Sequence, residues 1–292
     1  MRYEGPTWCL AAAIYAIWFG LIWHHEQISW PVLWLAGGLV TAWHNSLVHE
    51  SVHALIRVPR WLKTALAFPP LGVWYPYFVY HRTHSNHHRD SYLTDPLEDP
   101  ESFYFSQADW DQLAPAWKKV MLFNQTFIGR MLLGPPFAVY GLITCELIRL
   151  KTGDRDSRVA WVSHTVSLAV LFAFVSGVAG LPWWQYLLFF AHPGLALTMV
   201  RSFYEHRAAD DKYHRCAAVE SGPFFGMLFL YNNLHVLHHL KPTMPWYEMP
   251  AYYRANRDEL IAHNGGYVFS GYGEVVRRFL FRPTFTPVHP DL

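Results

Sequence analysis

His84-Ser-Asn-His87-His88 and His235-Val-Leu-His238-His239 repeat one pattern, H-x-x-H-H, about 150 residues apart. On a helix, positions i, i+3 and i+4 share a face, so each copy presents three imidazoles in one direction. Histidine is the commonest side-chain metal ligand and an uncommon core residue. A fold for this chain must therefore bring two distant helix faces to one place and supply a reason for six imidazoles there. Metal is the simplest reason.

Other histidines extend the set. His49-Glu50-Ser51-Val52-His53 puts two imidazoles at i and i+4, with His44 about a turn and a half earlier. Arg201-Ser-Phe-Tyr-Glu205-His206 adds another, and His81 stands one turn before His84. The ligand candidates are His49, His53, His84, His87, His88, His206, His235, His238 and His239, with His44 and His81 in reserve. A tetrahedral zinc takes only three or four protein ligands, so nine candidates suit two metals of higher coordination number. Imidazole serves iron, copper, nickel and zinc alike; a membrane site rich in neutral nitrogen donors favours iron and oxygen chemistry. Cys9, Cys145 and Cys216 are scattered and give no disulfide framework or thiolate site. Glu50, Glu205, Asp90, Asp95 and Asp99 are the carboxylates placed to orient ring N–H groups. Asn233, two residues before His235, can reach a metal-bound water. His24, His25, His164, His192, His214, His263 and His289 lack clustered partners and read as surface or interface residues.

The rest of the chain is greasy. It is 52% hydrophobic and 17% aromatic, and only 15% charged where about 25% is usual. The net charge of +1 offers no field for nucleic acid. The N-terminus has no cleavable signal pattern, so the apolar stretch after it reads as a retained anchor. Residues 7–23, 31–49, 159–181 and 183–200 read as four membrane spans forming two hairpins. The connection His24–Trp30 has no Lys or Arg, whereas Arg57, Arg60, Lys63, Arg82 and Arg89 follow the second span, which sets that side as cytoplasmic. Residues 131–150 are also apolar. If they crossed, the two H-x-x-H-H copies would face opposite sides, and Arg149, Lys151, Arg155 and Arg158 would lie outside. Gly134-Pro135-Pro136 is also expected to break a helix there. Residues 131–150 are therefore read as a re-entrant or interfacial helix. The expected fold is all-α and integral to the membrane: one domain over 1–292, four spans, and a cytoplasmic helical cap carrying the histidine boxes, with both termini cytoplasmic. A soluble helical protein with buried core helices is the alternative.

The boxes, as HESVH, HSNHH followed by LTDPLEDPES, RSFYEH, and NNLHVLHHLKPTMPWYEMP, resemble those of the integral-membrane fatty acid desaturase and hydroxylase superfamily, from His49 to about Pro250. The resemblance implies a helical membrane fold, a cytosolic centre of two non-haem iron ions held by the nine histidines, O2 as co-substrate, and a lipid acyl substrate. It also implies electrons from ferredoxin, rubredoxin or cytochrome b5, and a contact to metal-bound water at Asn233. Both His44-x4-His49 and His49-x3-His53 fit the loose first box; His49 and His53 are preferred because His53 leads into the cytoplasmic segment. A desaturase is the expected activity, with hydroxylase, ketolase or epoxidase outcomes on the same scaffold open. His49-Glu50-Ser-Val-His53 also matches the H-E-x-x-H zinc protease motif with Glu50 as general base, a reading that leaves both H-x-x-H-H copies without a task.

Overall fold

The computed structural model describes residues 4–89 and 91–290. Asp90 lies outside the described residues. The chain is mostly helical, and among the described residues the β-structure is one short parallel pair, β1 (Ala218–Val219) with β2 (Val268–Phe269), plus isolated bridges. In chain order the helices are α1 (Gly5–Trp23), α2 (Trp30–His53), α3 (Arg60–Ala67), α4 (Tyr77–His87), α5 (Gln107–Gln112), α6 (Pro115–Asn124), α7 (Phe127–Lys151) and α8 (Arg155–Phe172). There follow α9 (Trp183–Tyr186), α10 (His192–Ser202), α11 (Pro223–Leu228), α12 (His235–Leu240), α13 (Met249–Ala255), α14 (Arg257–His263) and α15 (Tyr272–Phe279). Two compact units arise, one from residues 1–81 and 135–198, the other from 82–134 and 199–292.

The first unit holds most of the long apolar helices. Three runs are long and apolar enough to cross a bilayer: Gly5–Trp23, Phe127–Lys151 and Arg155–Val178. The first and third carry the expected spans 7–23 and 159–181. Residues 31–49 lie within α2, whose second half is diluted by His44, Asn45, Ser46, His49 and Glu50. Residues 183–200 form one helical run in which α9 and α10 flank a π-turn at Leu187–Ala191. A second π-turn, Ala173–Val178, ends α8, and the chain reverses through Gly180 (φ +80°) and Leu181-Pro182 as the sequence suggested.

The expectation that Gly134-Pro135-Pro136 breaks a helix fails. α7 runs unbroken through both prolines. It begins earlier than the apolar stretch, with the Thr126 hydroxyl accepting the Gly129 N–H at 3.0 Å. Proline at 135 and 136 removes the N–H groups that would pair with residues four back, a loss that an apolar helix tolerates when neighbours accommodate it. Gly134 permits close approach there: a Cβ would sit 2.6 Å from Met199 Sδ.

Small residues also set the packing inside the first unit. A Cβ on Gly37 of α2 would meet Phe189 O at 2.6 Å, and one on Gly194 would meet Thr41 at 2.5 Å. Such contacts let helices approach closely where lipid removes the hydrophobic drive between them. Several polar groups buried among these helices are paired. Tyr186 donates to Leu71 O at 2.9 Å and accepts from Trp18 Nε1 at 3.0 Å. His164, expected at a surface or interface, is buried, with Nε2 2.8 Å from Val73 O. His44 is buried against Tyr15, Nε2 to hydroxyl 3.3 Å, so its ring belongs to the α1–α2 contact. The second unit is built of short helices. Its apolar core includes Leu93, Cys216, Leu234, Leu237, Met249 and Leu260. His289, also expected at a surface, is buried there beside Thr94 Oγ1 at 3.3 Å.

Candidate metal centre

Three segments of the second unit deliver histidines to one region. The end of α4 carries His84 and His87, with His88 next. The chain after α10 carries His206, held by a bridge to Cys216. α12 carries His235, His238 and His239 over fewer than two turns. Ahead of α12, Leu230 and Tyr231 adopt left-handed backbone (φ +49° and +57°). Two consecutive non-glycine residues in that region are uncommon and are sustained only when surroundings demand them. Here they turn the chain from α11 into Asn232 and the third box.

The imidazoles form two adjoining sets. His87, His206, His235 and His239 have ligand atoms all within 4.8 Å of one another. Their Nε2 atoms are 3.0 Å apart from His87 to His206, 2.9 Å from His206 to His235 and 3.1 Å from His235 to His239. His84, His88 and His238 form the second set, with Nε2 spacings of 3.3 Å (His84 to His88) and 3.0 Å (His88 to His238). The His88 and His239 rings stack at 4.3 Å and join the sets.

Carboxylates hold the opposite side of three rings. His87 Nδ1 is 2.9 Å from Asp99 Oδ1, His84 Nδ1 is 2.8 Å from Glu101 Oε1, and His235 Nδ1 is 3.2 Å from Glu205 Oε1. Asp99 is itself fixed by the N–H groups of Thr94 and Glu101, each at 2.9 Å. Arg201 donates to Glu205 at 2.6 Å, and Asn232 places its side-chain and backbone oxygens 3.2 and 3.3 Å from His235 Nδ1. An Nδ1–H donated to a carboxylate commits that ring to a tautomer whose Nε2 carries a lone pair. Several such lone pairs about 3 Å apart repel unless a cation stands among them. Metal–nitrogen bonds of about 2.1 Å give ligand–ligand edges of about 3.0–3.4 Å, so the donor set fits metal.

Charge in the site points the same way. Burial holds the His206 and His235 imidazoles well below their usual pKa, and that of His84 lower despite Glu101. Burial would also lower His87, but Glu101, Asp99 and Glu205 outweigh it and raise His87 to about 9. Burial raises Glu205 to about 7 against the pull of Arg201. Mostly neutral imidazoles ringed by carboxylates form the donor state that a divalent cation requires, with the cation displacing the proton on His87.

Sequence reasoning located Asp99 and Glu205 as ring partners. It missed Glu101, Arg201 and Asn232 in that role, and it missed Cys216, whose Sγ lies 3.6 Å from His206 Nδ1. Asp95 instead caps its own turn, accepting from the Leu97 and Glu98 N–H groups at 2.8 and 3.1 Å. Asn233 is buried; its Nδ2 donates to Val219 O at 2.6 Å and to Ser221 Oγ at 3.1 Å, while its Oδ1 has no hydrogen-bond partner among the described residues. In the first unit, His49 and His53 stand side by side on α2 with ring centroids 5.5 Å apart, and Glu50 is buried between them in sequence. His81 lies on α4 beside Tyr77, ring centroids 6.3 Å.

The family model for fatty acid desaturases matches residues 28–271, most of the chain and both units. The chain belongs to the fatty acid desaturase family. No curated protein matches it. Family membership and histidine clusters able to hold metal together identify an oxidoreductase scaffold for lipid chemistry.

Proposed function

We propose that this protein is a membrane-bound, O2-dependent di-iron desaturase that introduces a C=C bond into a lipid acyl chain. The observation that carries the reading is the convergence of two H-x-x-H-H boxes and His206, with ring nitrogens set by carboxylates, in a member of the fatty acid desaturase family. His87, His206, His235 and His239 would hold one iron. His84, His88 and His238 would hold the other, and His49 and His53 of the first box complete that set by their correspondence to the family's boxes.

When bound, the iron pair supplies the oxidising power toward an unactivated C–H bond that side chains lack. The chain's own residues do the rest. Asp99, Glu101 and Glu205 fix ring orientation and keep Nε2 available. Arg201 offsets the charge of Glu205. Electrons come from a small redox protein such as ferredoxin, rubredoxin or cytochrome b5, and the boxes and both termini face the cytoplasm. The H-E-x-x-H zinc protease alternative engages His49, Glu50 and His53 and gives the seven gathered imidazoles of the second unit no task.

Expression in a host with a compatible electron donor, followed by mass spectrometry of total lipids, tests the reading. Acyl chains lacking two hydrogens are expected. Chains gaining one oxygen would replace desaturation by hydroxylation, and an unchanged lipidome would move the substrate to another hydrocarbon or a terpenoid. Metal analysis should find two irons per chain; a single zinc would overturn the di-iron assignment.

A further inference from the structure

In the first unit, α3 and the start of α4 enclose a partly open groove of about 810 Å³. That volume lies within the range of about 300–1,000 Å³ usual for ligand sites. Its wall is mostly apolar: Trp61, Ala65, Phe68, Tyr77 and Phe78, with Phe68 at ring-centroid distances of 6.3 Å from Tyr77 and 5.7 Å from Phe78. Arg60 and Lys63, one turn apart on α3, line it too. Neither has a carboxylate partner among the described residues. Burial and the neighbouring Arg60 charge push the Lys63 ammonium below its usual pKa, the condition of a cation that lacks an anion. Through Tyr77 the groove wall also touches α2, the Tyr77 hydroxyl lying 3.4 Å from Ser51 Oγ.

An apolar wall with two uncompensated cations fits an anionic amphiphile. The surroundings decide how that amphiphile arrives. Trp61 is 72% exposed and Ile56 67% exposed, beside Arg57 and Arg60. Exposed Trp with flanking cations is the composition of a segment lying at the surface of an anionic bilayer. We propose that this groove takes an acyl chain esterified to an anionic glycerophospholipid, its phosphate on Arg60 and Lys63 and its chain along Phe68, Tyr77 and Phe78. The inference rests on the reading of the protein as a lipid acyl oxidoreductase and names the form in which the substrate is presented.

The test uses the full-length protein in phosphatidylcholine nanodiscs. A phosphatidylglycerol probe with a photoactivatable acyl chain is compared with a phosphatidylcholine probe of the same chain and with the free fatty acid. The phosphatidylglycerol probe should label residues within 60–81. Labelling should fall about tenfold in Arg60→Gln/Lys63→Gln, survive in Arg60→Lys/Lys63→Arg, and weaken with salt in the native protein. Equal labelling by the phosphatidylcholine probe overturns the proposal. So does displacement of the phospholipid by free fatty acid, or labelling indifferent to charge and salt. Iron content of each variant reports folding, and the salt arm needs no variant. Fatty acid analysis of the same preparations separates the two readings: charge-dependent labelling without unsaturated product keeps the groove and sinks the reaction, and unsaturated product with charge-blind labelling does the reverse.

Discussion

At the scale of single residues, the histidines divide by what stands behind them. His84, His87 and His235 each have Nδ1 against a carboxylate. Their Nε2 lone pairs are therefore committed to the shared centre. His84→Ala, His87→Ala or His238→Ala should abolish turnover and deplete iron while membrane insertion persists; normal turnover in any of the three would remove that residue from the ligand set. Asp99→Asn and Glu101→Gln keep shape but weaken the hold on His87 and His84. Loss of such a partner typically costs about 10- to 100-fold in metal affinity, so iron titration should shift by that much while the apo fold is retained. Glu50→Gln separates chemistries: partial loss of activity is expected, whereas a zinc protease with Glu50 as base would lose everything. The gathering of these histidines was legible in the sequence because helical periodicity places i, i+3 and i+4 together. Glu101 was not, because it lies in a Pro-rich turn with no period. Its signal was local: Asp99-Pro100-Glu101, where Asp99 accepts the Glu101 N–H and turns both carboxylates to successive rings of one box.

At the scale of elements, apolar runs announced the long helices, and composition could not announce how they pack or bend. The π-turn at 187–191 arises in ordinary aromatic and aliphatic sequence with no residue that marks it, whereas the one at 173–178 contains Ser176-Gly177, a pair at which helices bend. The continuity of α7 through Pro135 and Pro136 is not legible from proline's local cost, because the helix already starts at Phe127. Gly37 exposes the packing most directly. Its absent Cβ is what lets Phe189 O and the Phe190 ring approach α2. Gly37→Val puts atoms where backbone already stands, and overpacking of this kind costs about 1–3 kcal/mol. Thermal unfolding in detergent should come several degrees lower. Val at Gly20, where a Cβ meets nothing within 4 Å, is the matched control and should leave the midpoint almost unchanged.

At the scale of the whole molecule, the histidines constrain the membrane path by parity. His87 lies 3.0 Å from His206, so the chain between them crosses the bilayer an even number of times. Three helical runs lie in that interval: α7, α8 with its π-turn, and 183–202. At least one of the three does not cross. If α7 and α8 form the hairpin, the outer turn carries Arg149, Lys151, Arg155 and Arg158. If α8 and the 183–202 run form it, the outer turn is Ala179–Trp184, which has no charge. The positive-inside rule favours the second path, although α7, and not the 183–202 run, is among the described helices long and apolar enough to cross. Cysteine labelling decides between them. With Cys9 and Cys145 replaced by Ser, Ala179→Cys should react with a membrane-impermeant maleimide added to intact cells. Thr152→Cys should react only after the membrane is opened. Labelling of Thr152→Cys from outside would show that α7 crosses, make the 183–202 run the segment that turns back, and overturn the two-hairpin arrangement while leaving the gathered histidines on one side.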